Sequence, residues 1–407
     1  MNRIILVAGK GGVGKTTVAA ATGLSAARKG LRTLVLSFDL AHSLADSFDQ
    51  DESLFSESKG LPVEVAENLS IQEIDVQEEL ERNWKEIYRF SAALMVGGGL
   101  QEILADEVAI MPGMEDIVAL MRLNEYVRKD EYDVIVLDCP PTSEALRFVS
   151  ISTALDWYVR KRLKTDRRLA KLARPLVHLV SDQGSLFIPD DEYFDTLENI
   201  FERLKGIDVL LRDASIATVR LVTNAEKMVI RETQRAFMYF CMYGMTIDAV
   251  VINKIMPVEA GYFGEWARTQ REYVQGIASH FDPVPVSQLP MFQNEVCGIK
   301  RLETFAQHLF GDTDAARVMV KAPPLGFRKL SNDAYNLEVA MPFAPKEQIN
   351  VLRQNEDLIL RIGTFKRNIL LPRAIQPLDT AGAAMNGTKL VVKFQRKQKA
   401  EKQAARA

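Results

Sequence analysis

The residues from Gly9 to Thr16 carry the clearest chemical pattern in the chain, because they fit the spacing G-x-x-x-x-G-K-[ST]. In such a loop, glycines let backbone N–H groups turn inward around phosphates, the lysine adds a positive charge, and the hydroxyl is placed for Mg²⁺. The apolar run Ile4–Ala8 precedes the loop, and a helical stretch from Thr17 to Arg28 follows it. This context predicts a nucleoside triphosphate site where a strand meets a helix. The predicted contacts are Gly9, Lys10, Gly11, Gly12, Val13, Gly14, Lys15, Thr16 and Thr17.

Lys10 is a second lysine in the loop, at a position where ordinary phosphate loops have no required residue. The sequence GKGGVGKT resembles a class of ATPases that dimerise face to face, in which the early lysine reaches the phosphates bound by the partner. The alternative is that Lys10 fills a free position of the pattern and stays solvated. The resemblance implies that Lys10 and Lys15 both act in catalysis.

Short β-rich runs alternate with helical stretches along residues 1–290. This alternation predicts an α/β fold with a doubly wound parallel sheet, as in phosphate-loop nucleotide hydrolases. Ligands of such sheets bind beyond the carboxyl ends of the strands, so residues just after each run are the candidates for chemistry. The runs are Ile4–Ala8, Thr33–Ser37, Leu69–Ile74, Val134–Leu137, Thr218–Val222 and Ala249–Asn253.

Three of these runs end in acidic or amide residues. Asp39 follows the second run and could orient the water that attacks a γ-phosphate, since phosphoryl transfer depends on positioning. Asp138 follows the fourth run in a Walker-B-like arrangement and could hold Mg²⁺ through a water molecule. Asn253 ends the last run, and its amide can both donate to and accept from an adenine edge. The alternative for each is a helix N-cap or turn residue.

Composition excludes several other classes of protein. With 51 Lys and Arg against 54 Asp and Glu, the net charge is -3, which gives no reason to expect a nucleic-acid partner. No apolar stretch approaches the roughly 18 residues that a membrane span needs. The three cysteines, Cys139, Cys241 and Cys297, lie far apart, which is typical of a reducing compartment. Because the first strand begins at about Arg3, we expect no signal or transit peptide, unless an organellar form has already lost one.

Five motifs, in order along residues 1–315, together resemble the arsenical-pump and tail-anchored-protein-targeting ATPase family. They are GKGGVGKT, FDLAHSLADSFD from Phe38, MPGMEDI at Met111–Ile117, DCPPTSEALRF at Asp138–Phe148 and VVINK at Val250–Lys254. The resemblance implies an ATPase that uses ATP with Mg²⁺. By matching positions it implies Lys15 and Thr16 at the phosphates and Mg²⁺, Asp39 as the water-activating switch residue, Asp138 in the second switch, and Asn253, Pro290 and Met291 around the adenine.

Several positions depart from the pattern of that family. Leu40 replaces a proline in the first switch, and Ser143-Glu144 replaces Gly-His in the second, so the coupling of this switch to a partner surface is open. No cysteine lies between Lys254 and Leu289, where the eukaryotic targeting members hold a zinc ion, so we predict no zinc. The chain has one ATPase half and no cysteine set for metalloids, so the resemblance implies a homodimer and disfavours a metalloid pump.

The resemblance also implies a helical subdomain, at about residues 80–125 and 150–215, that lines a groove for a hydrophobic client helix. Methionines suit such a groove because the thioether chain repacks easily around varied clients. The alternative is that they are ordinary core residues. The methionines concerned are Met95, Met111, Met114 and Met121.

A second domain is expected after the ATPase domain, residues 1–321. Ala322-Pro323-Pro324-Leu325-Gly326 predicts a linker at 322–332, and residues 333–395 then show strand periodicity. The segments Arg367–Pro372 and Ala383–Val392 are similar to the α-crystallin domain of small heat-shock proteins, which implies an all-β sandwich. Residues 396–407 form a polar, basic tail that we expect to be disordered. The predicted strands are Tyr335–Met341, Ile349–Gln354, Asp357–Ile362, Phe365–Leu371 and Lys389–Phe394.

These features predict an ATP-hydrolysing homodimer whose nucleotide state opens and closes a surface for hydrophobic membrane-protein helices. One alternative is a nucleotide-switched chaperone or regulatory module that binds a hydrophobic small molecule or a soluble partner, and a less favoured one is a metalloid-pump subunit. A fusion of this ATPase with an α-crystallin-like domain resembles the subclass found in photosynthetic organisms. That resemblance implies a bacterial, cyanobacterial cytoplasm or a plastid stroma, and a membrane receptor, if any, is not identified.

Overall fold

The structure is a computed structural model that describes residues 3–38, 43–50, 58, 60–74, 78, 114–158, 163–180, 191–257, 261–363 and 365–396. Among these residues, no helix is both long enough and apolar enough to cross a bilayer.

A mostly parallel sheet forms the centre of the larger domain. Its strands in the described residues are β1 (Arg3–Gly9), β2 (Thr33–Ser37), β3 (Val63–Ala66), β4 (Leu69–Glu73), β5 (Val134–Asp138), β6 (Ala217–Asn224), β7 (Ile247–Ile255) and β8 (Val286–Pro290). They are arranged in the order β3-β4-β2-β5-β1-β6-β7-β8, and only β3 is antiparallel to its neighbour. The doubly wound parallel sheet predicted from the sequence is therefore confirmed.

Helices cover both faces of this sheet. They are α1 (Lys15–Ala27), α2 (Ser43–Ser47), α3 (Met114–Lys129), α4 (Thr142–Tyr158), α5 (Lys164–Val180), α6 (Asp191–Leu204), α7 (Ile207–Arg212), α8 (Lys227–Met242), α9 (Gly264–Phe281) and α10 (Ile299–Phe310), with a 3-10 turn at Gly261–Phe263. Every residue of β1 is buried, as expected of a strand packed on both faces. Ile5 and Val7 pack on the side of α1 and α10, whereas Ile4 and Leu6 pack on the side of α3, α4 and α8.

Asp248 lies between two buried arginines at the amino ends of the central strands. Its carboxylate is 3.0 Å from the guanidinium of Arg3 and 3.5 Å from that of Arg220. The same guanidiniums donate to the carbonyls of Ala316 and Ala315, respectively, so they also fix the chain beyond α10. Burial lowers the pKa of Arg3 to about 10 and also lowers the pKa of Arg220, and the nearby Asp248 opposes both shifts. Arginine guanidiniums stay protonated in proteins. One carboxylate therefore balances two buried cations.

The C-terminal domain consists of two antiparallel sheets. Its strands are β9 (Leu325–Ser331), β10 (Ala334–Ala340), β11 (Ile349–Gln354), β12 (Asp357–Ile362), β13 (Phe365–Leu370), β14 (Asp379–Asn386) and β15 (Lys389–Gln395), with a 3-10 turn at Lys346–Gln348. One sheet has the order β14-β15-β10-β9 and the other β11-β12-β13. Leu337, Val392 and Leu360 are buried between them, which confirms the predicted all-β sandwich.

The predicted linker at 322–332 is wrong over most of its length, because β9 occupies Leu325–Ser331 and pairs with β10. The strand was missed because it is the edge of its sheet and shows little alternation between buried and exposed residues. β14 was missed for a similar reason, since its short side chains are mostly exposed. Backbone pairing, rather than a hydrophobic pattern, defines both strands.

The sandwich packs directly against α8 and α9 of the ATPase domain. The ring of Phe365 lies over that of Tyr239, with 3.8 Å between centroids, and Phe343 makes an edge contact with Phe281 at 5.6 Å. Arg367 of β13 is buried, donates to the carbonyl oxygen of Met242 and lies 5.6 Å from the ring of Tyr243. Burial, together with the nearby charge of Arg212, lowers the pKa of Arg367 to about 9, which leaves it protonated at neutral pH. Apolar and charged contacts thus both hold the two domains together.

We predict that Asp248→Asn destabilises the ATPase domain strongly. The amide would leave two buried guanidiniums without a compensating charge, and breaking a buried ion pair in this way costs about 3 kcal/mol or more. Urea unfolding followed by fluorescence measures the effect, with the exposed Asp312→Asn as control. Adding Arg220→Met to Asp248→Asn should restore part of the loss. Equal unfolding midpoints for Asp248→Asn and the control would show that Asp248 does not balance these charges.

Candidate phosphate-binding site

The predicted phosphate loop connects the end of β1 to the start of α1. Gly12 and Gly14 have φ angles of 80° and 95°, in the left-handed region that favours glycine. A Cβ atom on Gly14 would lie 2.4 Å from Nδ2 of Asn253, and one on Gly9 would lie 2.3 Å from the carbonyl oxygen of Val222. Gly9 and Gly14 are therefore required because β6 and β7 approach the loop closely, in addition to any phosphate contact.

Lys15 and Thr16 open α1, where its free backbone N–H groups and positive dipole end favour an anion. The side chain of Lys15 is largely buried, and its Nζ lies 3.5 Å from the carbonyl oxygen of Lys10. The hydroxyl of Thr16 lies 3.3 Å from that of Ser43, the first residue of α2. Ser43 did not emerge from the sequence as a site residue, because its approach to Thr16 depends on how the chain returns after β2.

A cavity of about 760 Å³ opens beside the loop. Most of the residues predicted to bind nucleotide line it, together with residues from α2, from the start of α4 and from the segment after β8. The lining residues are Gly11, Gly12, Gly14, Lys15, Thr16, Thr17, Ser43, Asp46, Ser47, Pro141, Asn253, Lys254, Pro290, Met291, Phe292, Gln293, Asn294, Glu295, Val296, Cys297 and Phe305. Its volume lies in the range of small-molecule and nucleotide sites.

Four of the predicted site residues do not line the cavity itself. Gly9 and Val13 are buried residues of the loop, and Lys10 is a half-buried one. Asp138 is fully buried at the end of β5. The prediction for Asp39 falls in 39–42, outside the described residues.

Asn253 and Lys254 connect the end of β7 to the loop. The Asn253 amide donates to the carbonyl oxygen of Val13 at 2.9 Å, and its own oxygen accepts from the backbone N–H of Lys254 at 2.9 Å. Lys254 has a positive φ of 57°, and its Nζ donates to the carbonyl oxygen of Gly12 at 2.8 Å. In the structure these two residues support the loop, and contact of Asn253 with adenine stays a prediction. Lys254 was not predicted, although its basic side chain directly follows a strand that ends at the site.

Asp138 and Lys15 lie close enough to influence the same thiol. Burial raises the pKa of Cys139, and the negative charge of Asp138 raises it further, whereas the positive charge of Lys15 lowers it. The backbone of this segment is fixed on both sides, since Cys139 N–H donates to Val7 and Phe38 N–H donates to Asp138. The Asp138 carboxylate and the Thr16 and Ser43 hydroxyls are hard oxygen donors, the kind that Mg²⁺ prefers. The residues present therefore fit the predicted magnesium ion.

Glu73, the last residue of β4, holds α2 at the cavity. Its carboxylate oxygen Oε1 accepts hydrogen bonds from the backbone N–H groups of Leu44 and Ala45, both at 2.9 Å. This carboxylate fixes the segment that follows the predicted first switch. Glu73 was missed from the sequence because nothing in its spacing links it to a helix almost 30 residues earlier in the chain.

The segment after β8 forms the other wall of the cavity. Met291 N–H donates to the carbonyl oxygen of Ile255 at 2.8 Å, which fixes the segment beside β7. Phe292 packs against Phe305 and His308, with ring centroids 5.5 and 5.2 Å apart. A second cavity of about 410 Å³ shares residues 290–296 with the first. Pro290 and Met291 thus lie at the edge of the phosphate site, where the sequence predicted the wall of an adenine pocket.

Comparison with known proteins agrees with this geometry. Residues 2–311 match the family described as anion-transporting ATPase. The chain belongs to that family. Residues 332–394 match the HSP20-like domain found in ArsA, which confirms the α-crystallin resemblance of the sandwich. The chain is an ATPase that binds and hydrolyses ATP.

Relatives of this ATPase carry two kinds of name. A protein of Aquifex aeolicus named as an arsenical pump-driving ATPase is 44% identical over 96% of this chain and 99% of its own length. One of Chlorobaculum tepidum with a similar name is 36% identical over 96% of both chains. The ATPase get3 of Aspergillus terreus is 28% identical over 75% of this chain and 90% of its own length. The first two cover the sandwich as well as the ATPase domain.

The predicted client helices are only partly within the described residues. Most of the segment 80–125, including Met95 and Met111, lies outside them. Met121 of α3 is buried in the core of the ATPase domain, so for this residue the alternative of a core methionine is the right one. In the second segment, 150–215, salt bridges connect α5 to α6. Arg167 of α5 lies 2.8 Å from Asp195 and 3.5 Å from Glu198, both in α6.

We predict that Gly14→Ala lowers the affinity for ATP by at least tenfold. The φ of 95° costs an L-residue about 1–2 kcal/mol, and the new methyl group would displace Asn253 from its bond to the loop. Gly276→Ala in α9 is the control, since a Cβ there meets no other atom within 4 Å. Calorimetric titration with ATP measures both, and circular dichroism checks that the variants fold. Unchanged affinity of Gly14→Ala would mean that the loop does not need this conformation to bind nucleotide.

Proposed function

We propose that this ATPase works as a homodimer in which the state of the nucleotide controls access to a surface for hydrophobic protein segments. The observation that carries the proposal is the extent of the cavity, which reaches from the phosphate loop to α2 and to Pro141, the residue directly before α4. Loss of the γ-phosphate would change contacts at the starts of both helices. Two helices that share a site with the nucleotide can transmit its state.

Helix α4 supplies a mechanical connection from the site to the helical region. Arg147, one and a half turns into α4, is 2.6 Å from Asp116 of α3, and Asp116 is only 3% exposed. This ion pair links the second-switch motif to the MPGMEDI motif. A shift of α4 on hydrolysis would therefore move α3 as well, which offers a physical role for two sequence motifs that otherwise lie far apart.

An exposed apolar strip on α5 is the described part of the proposed client surface. Leu169 and Leu172 are 58% and 70% exposed, and their spacing of three places them on one face of the helix. The opposite side of α5 carries Arg167 and Lys171, which pair with acidic residues of α6. Ion pairs thus hold the helix while its leucines stay available. Several relatives of the ATPase domain are named ATPase get3, which agrees with the family resemblance on which the proposed targeting role rests.

Five residues have a proposed part in hydrolysis. Lys15 compensates the charge of the outer phosphates, and Thr16 and Asp138 would hold Mg²⁺, which neutralises charge on the phosphate oxygens when bound. Asp39 orients the attacking water for in-line displacement. Lys10 of each protomer reaches the phosphates of the other, so closure of the dimer completes both sites. Together these roles make hydrolysis depend on dimerisation.

The names of the first two relatives point to a metalloid pump as a second possible function. The cysteines give it little support. Cys139, directly after β5, and Cys241, in α8, are both buried, and burial raises the pKa of both thiols, which disfavours the thiolate that a metalloid binds. Cys297, the third cysteine, is half-buried and lines the nucleotide cavity.

We predict that Asp39→Asn keeps ATP binding but slows hydrolysis at least about 100-fold, because the amide no longer orients or deprotonates water. Lys10→Ala should slow hydrolysis by roughly 1,000-fold, as expected for a cation supplied by a partner, and should weaken ATP-dependent dimerisation. Phosphate release and analytical ultracentrifugation measure the two effects. Loss of ATP binding in Asp39→Asn would make that residue structural. Wild-type turnover and dimerisation in Lys10→Ala would refute the proposed role across the interface.

We predict that Leu169→Ser combined with Leu172→Ser weakens binding of a hydrophobic helix by at least tenfold. Each leucine removed from an apolar contact costs about 1.5 kcal/mol or more. A fluorescent peptide with a tail-anchor helix is titrated into the Asp39→Asn protein with and without ATP. The control is Met228→Ser, because Met228 is also apolar and highly exposed but lies on α8 instead of α5. No binding to the parent protein, with ATP hydrolysis intact in the wild type, would instead favour a soluble partner or small molecule as the client.

A further inference from the structure

Three large aromatic side chains are exposed within a short segment after β7. Tyr262 is 95% exposed, Phe263 53% and Trp266 39%. The rings of Tyr262 and Phe263 meet edge to face, with centroids 5.3 Å apart. Single exposed apolar residues are common, but three neighbouring aromatic rings form a patch that usually has a partner. The name aromatic patch is used below for these three residues.

The aromatic patch lies at the same edge of the sheet as the phosphate site. Tyr262 and Phe263 belong to the 3-10 turn that leads into α9, and α9 carries the chain from the carboxyl end of β7 back to the start of β8. Gln270 of α9 accepts a hydrogen bond from Met256 N–H just after β7, which fixes the first half of the helix at that edge. The exposed Met291, after β8, lies at the same edge.

The surroundings of the aromatic patch suit a second copy of the same chain. Glu265 and Arg268 are exposed beside Trp266 and have opposite charges. In a two-fold symmetric interface the same surface meets itself, so Glu265 of one protomer could face Arg268 of its partner on each side of the axis. Aromatic residues at the centre with charged residues around them are the usual composition of protein interfaces. An apolar client segment would not require this balance of charge.

We propose that the aromatic patch is a contact between the two protomers when ATP closes the dimer. This inference rests on the homodimer proposed above, because closure around Lys10 brings the carboxyl edges of the two sheets together. Tyr262, Phe263 and Trp266 then bury apolar area against their counterparts. The contact lies outside the phosphate loop, so it adds to the stability of the closed dimer without touching the nucleotide.

The test compares Tyr262→Ser/Phe263→Ser with the parent protein, both carrying Asp39→Asn so that bound ATP is not hydrolysed. Analytical ultracentrifugation with ATP and Mg²⁺ should show dimerisation weakened at least tenfold, while calorimetry shows unchanged ATP binding by the monomer. Leu352→Ser on β11 is the matched control, because Leu352 is 62% exposed in the sandwich. Equal dimerisation of the double variant and the control would overturn the inference and leave the homodimer standing.

A second experiment measures the fluorescence of the aromatic patch itself. With Trp84→Phe and Trp157→Phe, Trp266 is the one remaining tryptophan, and its emission should move to shorter wavelength when ATP closes the dimer. An unchanged emission in a protein that dimerises would place Trp266 outside the interface. A parent protein that stays monomeric with ATP would refute the homodimer itself. A double variant that dimerises normally but no longer binds a tail-anchor peptide would assign the aromatic patch to the client instead.

Discussion

The close contact between the phosphate loop and the end of β7 sets the geometry of the whole site. Gly14 can adopt its left-handed conformation against Asn253 only because it has no side chain. The Asn253 amide and the Lys254 ammonium group then hold two adjacent residues of the loop, Val13 and Gly12, by their carbonyl oxygens. Contacts within the protein therefore shape the loop. Preorganisation of this kind reduces the entropy that nucleotide binding must overcome.

The same contact connects distant parts of the chain. Val13 and Asn253 are 240 residues apart in sequence, and β1, β6 and β7 must all be in register for the contact to form. The buried group of Arg3, Arg220 and Asp248 secures these strands at their other ends. Order at the phosphate site therefore depends on charge balance at the opposite edge of the sheet.

The sequence predicted the features that depend on local pattern. The buried parallel strands and the glycine-rich loop were found because each has a distinctive composition over a few neighbouring residues. The supports of the site were not found, because Glu73, Ser43 and Lys254 act through contacts with residues distant in sequence. Edge strands such as β9 and the polar strand β8 were missed because half-exposed strands lack alternation. The sandwich was recognised from its motifs, but its packing on α8 had no signal in the pattern.

The packing of the sandwich on α8 changes what counts as a domain in this protein. One continuous apolar core includes Leu6 in the central sheet, Phe240 in α8 and Leu337 in the sandwich. Because this core runs through both domains, we expect them to unfold together rather than one after the other. A substitution in β13 is therefore felt in the ATPase domain, and removal of the sandwich would expose apolar surface of α8 to solvent. The α-crystallin-like domain is thus an integral part of the ATPase structure. Residues of the sandwich that contact α8 must therefore evolve together with that helix.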